Sequence, residues 1–150
     1  MKLSTKGRYG LRALIDLALY SENETVSIQS IARRQNISDS YLEQLMRKLR
    51  SAGLIVSVRG AQGGYKQARP ANEISVGDVL RALEGSLEAV TCGGEDNSCQ
   101  GADLCVTKFV GERINSSIRD TVDSIKLSQL VEESRLMREK GQIQVQKCDN

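Results

Sequence analysis

Residues 27–68 read SIQSIARRQNISDSYLEQLMRKLRSAGLIVSVRGAQGGYKQA, and the fold turns on them. Ser27 suits a helix N-cap. Ile28, Ile31 and Ala32 then share one face of a short helix predicted over 28–35, with Arg33 and Arg34 outward. Asn36, Ile37 and Ser38 form a tight turn. Ser38 is placed to cap a second helix over 39–52, and Ser40 with Glu43 offers another capping box. Leu42, Leu45, Met46 and Leu49 make the buried stripe of that helix, and Gly53 its stop. Two short helices joined by so brief a turn are a helix-turn-helix. The β-branched run 54–58, the glycine-rich turn 59–64 and the return at 65–68 add a hairpin directly behind. The expected fold is mainly α with a small β-hairpin wing.

The outward positions of the second helix include Ser40, Glu43, Gln44 and Arg47, with Ser38 at its cap. Polar side chains near such an N-terminus reach base edges, and basic ones further along hold phosphates. Arg59 at the wing tip suits a narrow minor groove, where negative potential concentrates. A rival reading of 60–64 as a phosphate-cradling loop lacks both the Lys-Ser/Thr pair and a helix directly after it.

Before this stretch, Lys2, Lys6, Arg8 and Arg12 make a basic start. Leu11, Leu14, Ile15, Ala18 and Leu19 predict an amphipathic helix over 7–20. Basic first turns oppose the helix dipole unless an anion approaches, so Lys2 and Arg8 join the candidate DNA contacts. Residues 1–70 carry 12 Lys and Arg against 5 Asp and Glu, whereas residues 71–150 carry 9 against 14. A basic front and an acidic back fit a nucleic-acid reader with an attached regulatory half.

After it, Ser75 caps a helix over 76–84 through Val76, Val79, Leu80 and Leu83, and Gly85 ends it. Cys92, Cys99 and Cys105 follow as C-x6-C-x5-C among Gly, Asn, Ser, Asp and Gln, which form loops. Such a loop buries little and brings three soft sulfurs to one point. An iron–sulfur cluster, a zinc ion, a metal-free thiol switch and small buried hydrophobes all stand as readings, although no CxxC favours zinc. Glu95, Asp96, Asp103, Thr107, Cys148 or a partner's group are candidates for a fourth ligand. Phe109 or Val110, Ile114, Ile118, Val122 and Ile125 then step by threes and fours along a long helix. This stripe is expected to meet a second copy of the chain, or else its own domain. A shorter helix over 127–140 and a frayed tail complete the chain. The expected division is a DNA-binding unit at 1–85, a cysteine loop at 86–106, dimerisation and C-terminal helices at 107–140, and a flexible tail at 141–150.

Hydrophobic residues make up 39% and aromatics 3%, an aliphatic core small enough to be completed by a partner subunit. No apolar run is long enough to cross a membrane, and the charged start leads into no signal peptide. A cytoplasmic location is expected, where thiols stay reduced. The chain has no His, no nucleophile motif and no cofactor fingerprint, so an enzyme is disfavoured. A protein-binding adaptor is a third reading.

Three motifs, MKLSTKGRYGLRAL at 1–14, SDSYLEQL at 38–45 and VRGAQGGY at 58–65, together resemble a family of winged-helix repressors. That family includes the iron–sulfur cluster regulator IscR, the nitric-oxide sensor NsrR and the cysteine-metabolism repressor CymR. The resemblance spans roughly residues 1–130. It implies a homodimer with a long crossed dimerisation helix, a double-stranded DNA operator as partner, and repression responding to cluster supply, iron, or oxidative or nitrosative stress. CymR-like members lack the cysteine triad. NsrR-like members hold a [4Fe–4S] cluster with an N-terminal Asp, where this chain has Arg8. IscR-like members hold [2Fe–2S] with three Cys and a His, where this chain has Lys108, and their first cysteine gap is one residue shorter. The three sulfurs carry over and the fourth ligand does not. On DNA the resemblance points to Ser38, Ser40, Glu43 and Arg59, with Glu43 discriminating between two classes of site.

Overall fold

The computed structural model describes residues 3–91, 101 and 104–148, with side chains through Gly141. Six helices and one hairpin follow in the order α1 (Thr5–Tyr20), α2 (Ile28–Gln35), α3 (Asp39–Ser51), β1 (Ile55–Val58), β2 (Gly64–Gln67), α4 (Val76–Glu84), α5 (Val106–Ser124) and α6 (Leu127–Cys148). A single 3-10 turn at Ala71–Glu73 precedes α4.

Side-chain caps set the helix starts. The hydroxyls of Ser4, Ser27, Ser38 and Ser75 each accept an N–H from the first turn of their helix. Asn36 adopts a left-handed φ of 53°, and Ile37 N–H returns to Ala32 O at 3.0 Å. Gly53 at φ 74° lets Leu54 N–H return to Leu49 O at 3.1 Å. Both closures satisfy carbonyls that would otherwise end the helices unpaired, and the second drops Leu54 into the core.

Leu42, Leu45, Met46 and Leu49 are all buried, as their spacing predicts. They pack with Leu14, Leu17, Ile31, Ile55, Ile74 and Leu83 in one core. The face of α1 differs from expectation. Ala13, Leu14, Leu17 and Ala18 are buried, whereas Leu11, Ile15 and Leu19 are half-buried. The reason is Gly10, where a Cβ would overlap the Leu83 methyl groups. The glycine side of α1 is thereby drawn onto α4 and turns the helix.

In the wing, β1 and β2 pair antiparallel with Ile55 opposite Gln67 and Val58 opposite Gly64. Val26 adds a bridge to Tyr65 on the far side, with N–H···O distances of 2.9 and 2.8 Å. The hairpin is thus tied to the residue that precedes α2.

The junction between α5 and α6 is fastened to the start of α4. Val76 N–H donates to Ile125 O at 2.9 Å and Leu127 N–H to Ile74 O at 2.8 Å. Arg81 reaches Asp123 at 2.5 Å. Leu127 and Val131 enter the main core, and α6 turns back along α1, with Arg135 on Glu22 at 2.6 Å and Arg138 on the Tyr20 hydroxyl at 2.7 Å. The last helix runs to Cys148, past the expected end near Lys140. On α5 only Gly111 and Val122 are buried. Phe109, Val110 and Ile114 are 62, 50 and 42% exposed. Of the two fates expected for this stripe, packing on its own domain applies only to its C-terminal end, where Val122 meets Val76, Leu80 and Leu87.

Candidate nucleic-acid interface and cysteine site

Ser38, Ser40, Glu43, Gln44 and Arg47 are exposed on one side of α3, opposite the buried stripe. Four of them share a shallow groove with Lys48. Ser38 already accepts Tyr41 N–H at 3.3 Å, so its hydroxyl proton is what it has left to offer. Lys48, one position beyond Arg47 on α3, donates to Leu83 O at 3.1 Å and closes the C-terminus of α4. Arg50 approaches Ser57 at 3.4 Å and links α3 to the wing.

Arg59 is exposed beside Gly60, whose φ of +119° sharpens the wing turn. Gly63 N–H closes that turn onto Gly60 O at 2.9 Å, and a Cβ on Gly63 would meet Val58 O at 2.5 Å. Thr25 holds the turn from outside by donating to Gln62 O at 2.6 Å. Arg8 is exposed in the first turns of α1. Tyr9 beside it meets Tyr41 of α3 edge-on at 6.1 Å, and the Arg12 guanidinium lies 5.2 Å from the Tyr9 ring. These contacts fix the basic end of α1 against α3. Lys2 lies outside the described residues.

Charge inside the reader is handled by a pair that the hydrophobic pattern does not disclose. Asp16, on α1, is buried, and Arg34 of α2 grips both of its oxygens, the closest contact at 2.6 Å. Gln35 donates to the same carboxylate at 2.8 Å. Arg34 also stacks 4.1 Å from the Tyr20 ring. The hydrogen bond to Asp16 raises the Arg34 guanidinium above its ordinary range, against the opposing effect of burial. Arg34 thus stays exposed on its outer side, as expected, while joining α1 to α2.

Of the three clustered cysteines, Cys105 is described, and Cys92 and Cys99 lie outside the described residues. Cys105 is the N-cap residue of α5. Its sulfur lies 2.8 Å from the Thr107 hydroxyl. That contact, then the Lys108 N–H, draws the thiol below its usual range. Metals bind the thiolate, so this position suits a metal-ligating sulfur. Thr107 is also the one described fourth-ligand candidate that adjoins a cysteine sulfur, while Glu95, Asp96, Asp103 and the Cys148 side chain lie outside what is described. Among the described residues no three His, Cys, Asp or Glu side chains gather around a common point. No helix among them is long and apolar enough to cross a membrane.

Asn115 is a residue the sequence reading missed. From the middle of α5 its side-chain oxygen accepts Ala89 N–H at 2.9 Å and Val90 N–H at 3.2 Å, and its amide donates to Val90 O at 2.8 Å. An Asn in a helix carries no sequence signal for a partner twenty-five residues away.

Comparison with known proteins gives a consistent result. The family model for Rrf2, described as an iron-dependent transcriptional regulator, matches residues 3–133. The HTH-type transcriptional regulator IscR of Pectobacterium atrosepticum is 43% identical over 137 residues, which span 91% of this chain and 83% of that protein. Its namesake from Vibrio campbellii is 42% identical over the same length, 81% of that protein. Among solved structures, T. potens IscR superposes with a TM-score of 0.71 at 44% identity, covering 89% of this chain and 88% of the other. CymR, the global cysteine regulator of B. subtilis, superposes with a TM-score of 0.74 at 38% identity, covering 89% and 98%.

Proposed function

The chain belongs to the Rrf2 family and is a DNA-binding transcriptional regulator, and from that premise we propose that an iron–sulfur cluster held by Cys92, Cys99 and Cys105 controls its DNA affinity or specificity. The observation that carries this reading is the place of Cys105. Its sulfur stands at the head of α5, and the foot of α5 is bonded to α4 through the main chain. A bound cluster would supply an iron- and redox-responsive link among the sulfurs. The residues of the chain supply the rest. Thr107 and the Lys108 N–H favour the thiolate, α5 connects the sulfur to the reader, and α4 packs on α1 and α3.

On DNA, Ser40, Glu43, Gln44 and Arg47 face the bases from α3, with Ser38 at its cap and Arg59 reaching from the wing. Lys2 and Arg8 meet phosphates. The chain acts as a cytoplasmic homodimer. Phe109, Val110 and Ile114 are the apolar side chains that a second α5 would cover, and two readers side by side would match two half-sites. Repression is the expected direction, and [2Fe–2S] the expected cluster, since Arg8 stands where the [4Fe–4S] members of the family would have an Asp.

The test is anaerobic purification of wild type and Cys92→Ala, with absorption spectra and analysis of iron, sulfide and zinc. Wild type is expected to be coloured and to hold iron and sulfide, and the variant to lose both. A colourless wild type with stoichiometric zinc would overturn the cluster. A second reading, control of cysteine metabolism, is favoured by the likeness to B. subtilis CymR. The cysteine triad counts against it, and a colourless wild type free of metal would restore it.

A further inference from the structure

The segment that enters the cysteine loop does not leave α5 freely. Leu87 is buried in one apolar cluster with Val76, Leu80 and Val122, the last near the C-terminal end of that helix. Three residues later Val90 is held by Asn115, seven positions nearer the N-terminus. Seven helical residues rise about 10 Å, which is what three extended residues span. Residues 87–90 therefore run along α5 toward the end where Cys105 sits. The chain that carries the three sulfurs leaves from this helix two residues before Cys92 and rejoins it at Cys105.

Asn115 is suited to hold such a segment. Its carboxamide offers both an acceptor and donors, and here it takes two N–H groups and gives one hydrogen bond back. The side chain is half-buried, so these bonds are partly shielded from water. Ala89 is exposed and Val90 only half-buried, so apolar packing contributes little to holding this stretch.

We propose that Asn115 is a positioning residue for the sulfur set: by bonding the backbone of Ala89 and Val90 to α5, it fixes the entry of the cysteine loop relative to Cys105. The inference rests on the proposed metal-holding role of the loop. Asn115 touches no metal ligand itself. It acts through the segment it holds, as residues behind a metal's ligands do when they limit where those ligands can move.

The experiment uses the full chain, reconstituted anaerobically with iron and sulfide, as wild type, Asn115→Asp, Asn115→Ala and the exposed-site control Glu112→Ala. Loss of the visible absorbance is followed after adding an iron chelator. Asn115→Ala should lose its iron about 10- to 100-fold faster than wild type. Asn115→Asp keeps the two acceptor contacts but cannot donate to Val90 O, and should fall between. Glu112→Ala should match wild type. Metal-free protein gives an independent readout. The amides of Ala89 and Val90 should be slow to exchange in wild type and fast in Asn115→Ala, with an unchanged melting temperature. Equal rates of iron loss in wild type and Asn115→Ala would overturn the proposal, as would equal exchange at both amides. A wild type that holds no iron, sulfide or zinc would instead overturn the functional reading beneath it.

Discussion

Glu43 is an acid on the surface of α3 proposed to approach DNA, a polyanion. It stands in the groove of α3 beside Ser40, Gln44 and Arg47, with no ion-pair partner among the described residues. In the proposed interface a carboxylate there would accept from a cytosine amino group and repel acceptor-rich base edges, and so would reject sequences as well as choose them. Glu43→Ala should bind more DNA sites with more nearly equal affinity, read by competition between sites at fixed salt. Unchanged relative affinities would remove Glu43 from discrimination. That outward face was legible because Leu42, Leu45, Met46 and Leu49 leave one side free. Asp16 and Lys48 were not legible in the same way. Each polar residue sits where a pattern assigns water, and each is claimed by a group distant in sequence, Arg34 for Asp16 and the Leu83 carbonyl for Lys48. Periodicity tells which side of a helix is apolar, but not which polar group finds a partner after folding.

Among the elements, α4 shows how local chemistry sets a boundary. Asp78 N–H donates to the Ser75 hydroxyl at 3.0 Å and Ser75 N–H returns to the Asp78 carboxylate at 2.9 Å. Partial burial alone would raise the Asp78 carboxyl. The Ser75 contacts, with Arg69 and Arg81, outweigh burial and hold it below its ordinary value. A carboxyl lowered on folding stabilises the fold above its unfolded value, about pH 4, and the benefit fades as pH falls through the lower folded value. Ser75→Ala should cost about 0.5–2 kcal/mol in denaturant unfolding near neutral pH. Part of that difference should vanish in strong acid, and a difference that grows there would refute the assignment. The short helices α2, α3 and α4 were readable because each has a serine cap, a regular apolar stripe and a turn residue at its end. The long ones were less so. The burial pattern of α1 is turned by its glycines, and the polar end of α6 carries no stripe to mark where it stops.

At the scale of the molecule, the exposed half of α5 is the feature that a single chain leaves open. Phe109, Val110 and Ile114 lie on it without cover. Ile114→Glu should convert a dimer to a monomer in sedimentation and weaken binding to a two-half-site DNA far more than to one half-site. A wild type that sediments as a monomer at micromolar concentration would overturn the dimer. The stripe was legible as an apolar face, and the chain itself covers only its C-terminal end. The elbow that anchors it was not, because main-chain bonds between 74–76 and 125–127 leave no trace in residue type. That elbow has a mechanical consequence. Nineteen residues of α5 make an arm about 28 Å long. With its foot fastened to α4 by main-chain bonds, a sideways shift of about 2.5 Å at the Cys105 end would correspond to about 5° of rotation at the base. A sideways force at the Cys105 end would act on α4 as a torque equal to that force multiplied by the length of the arm.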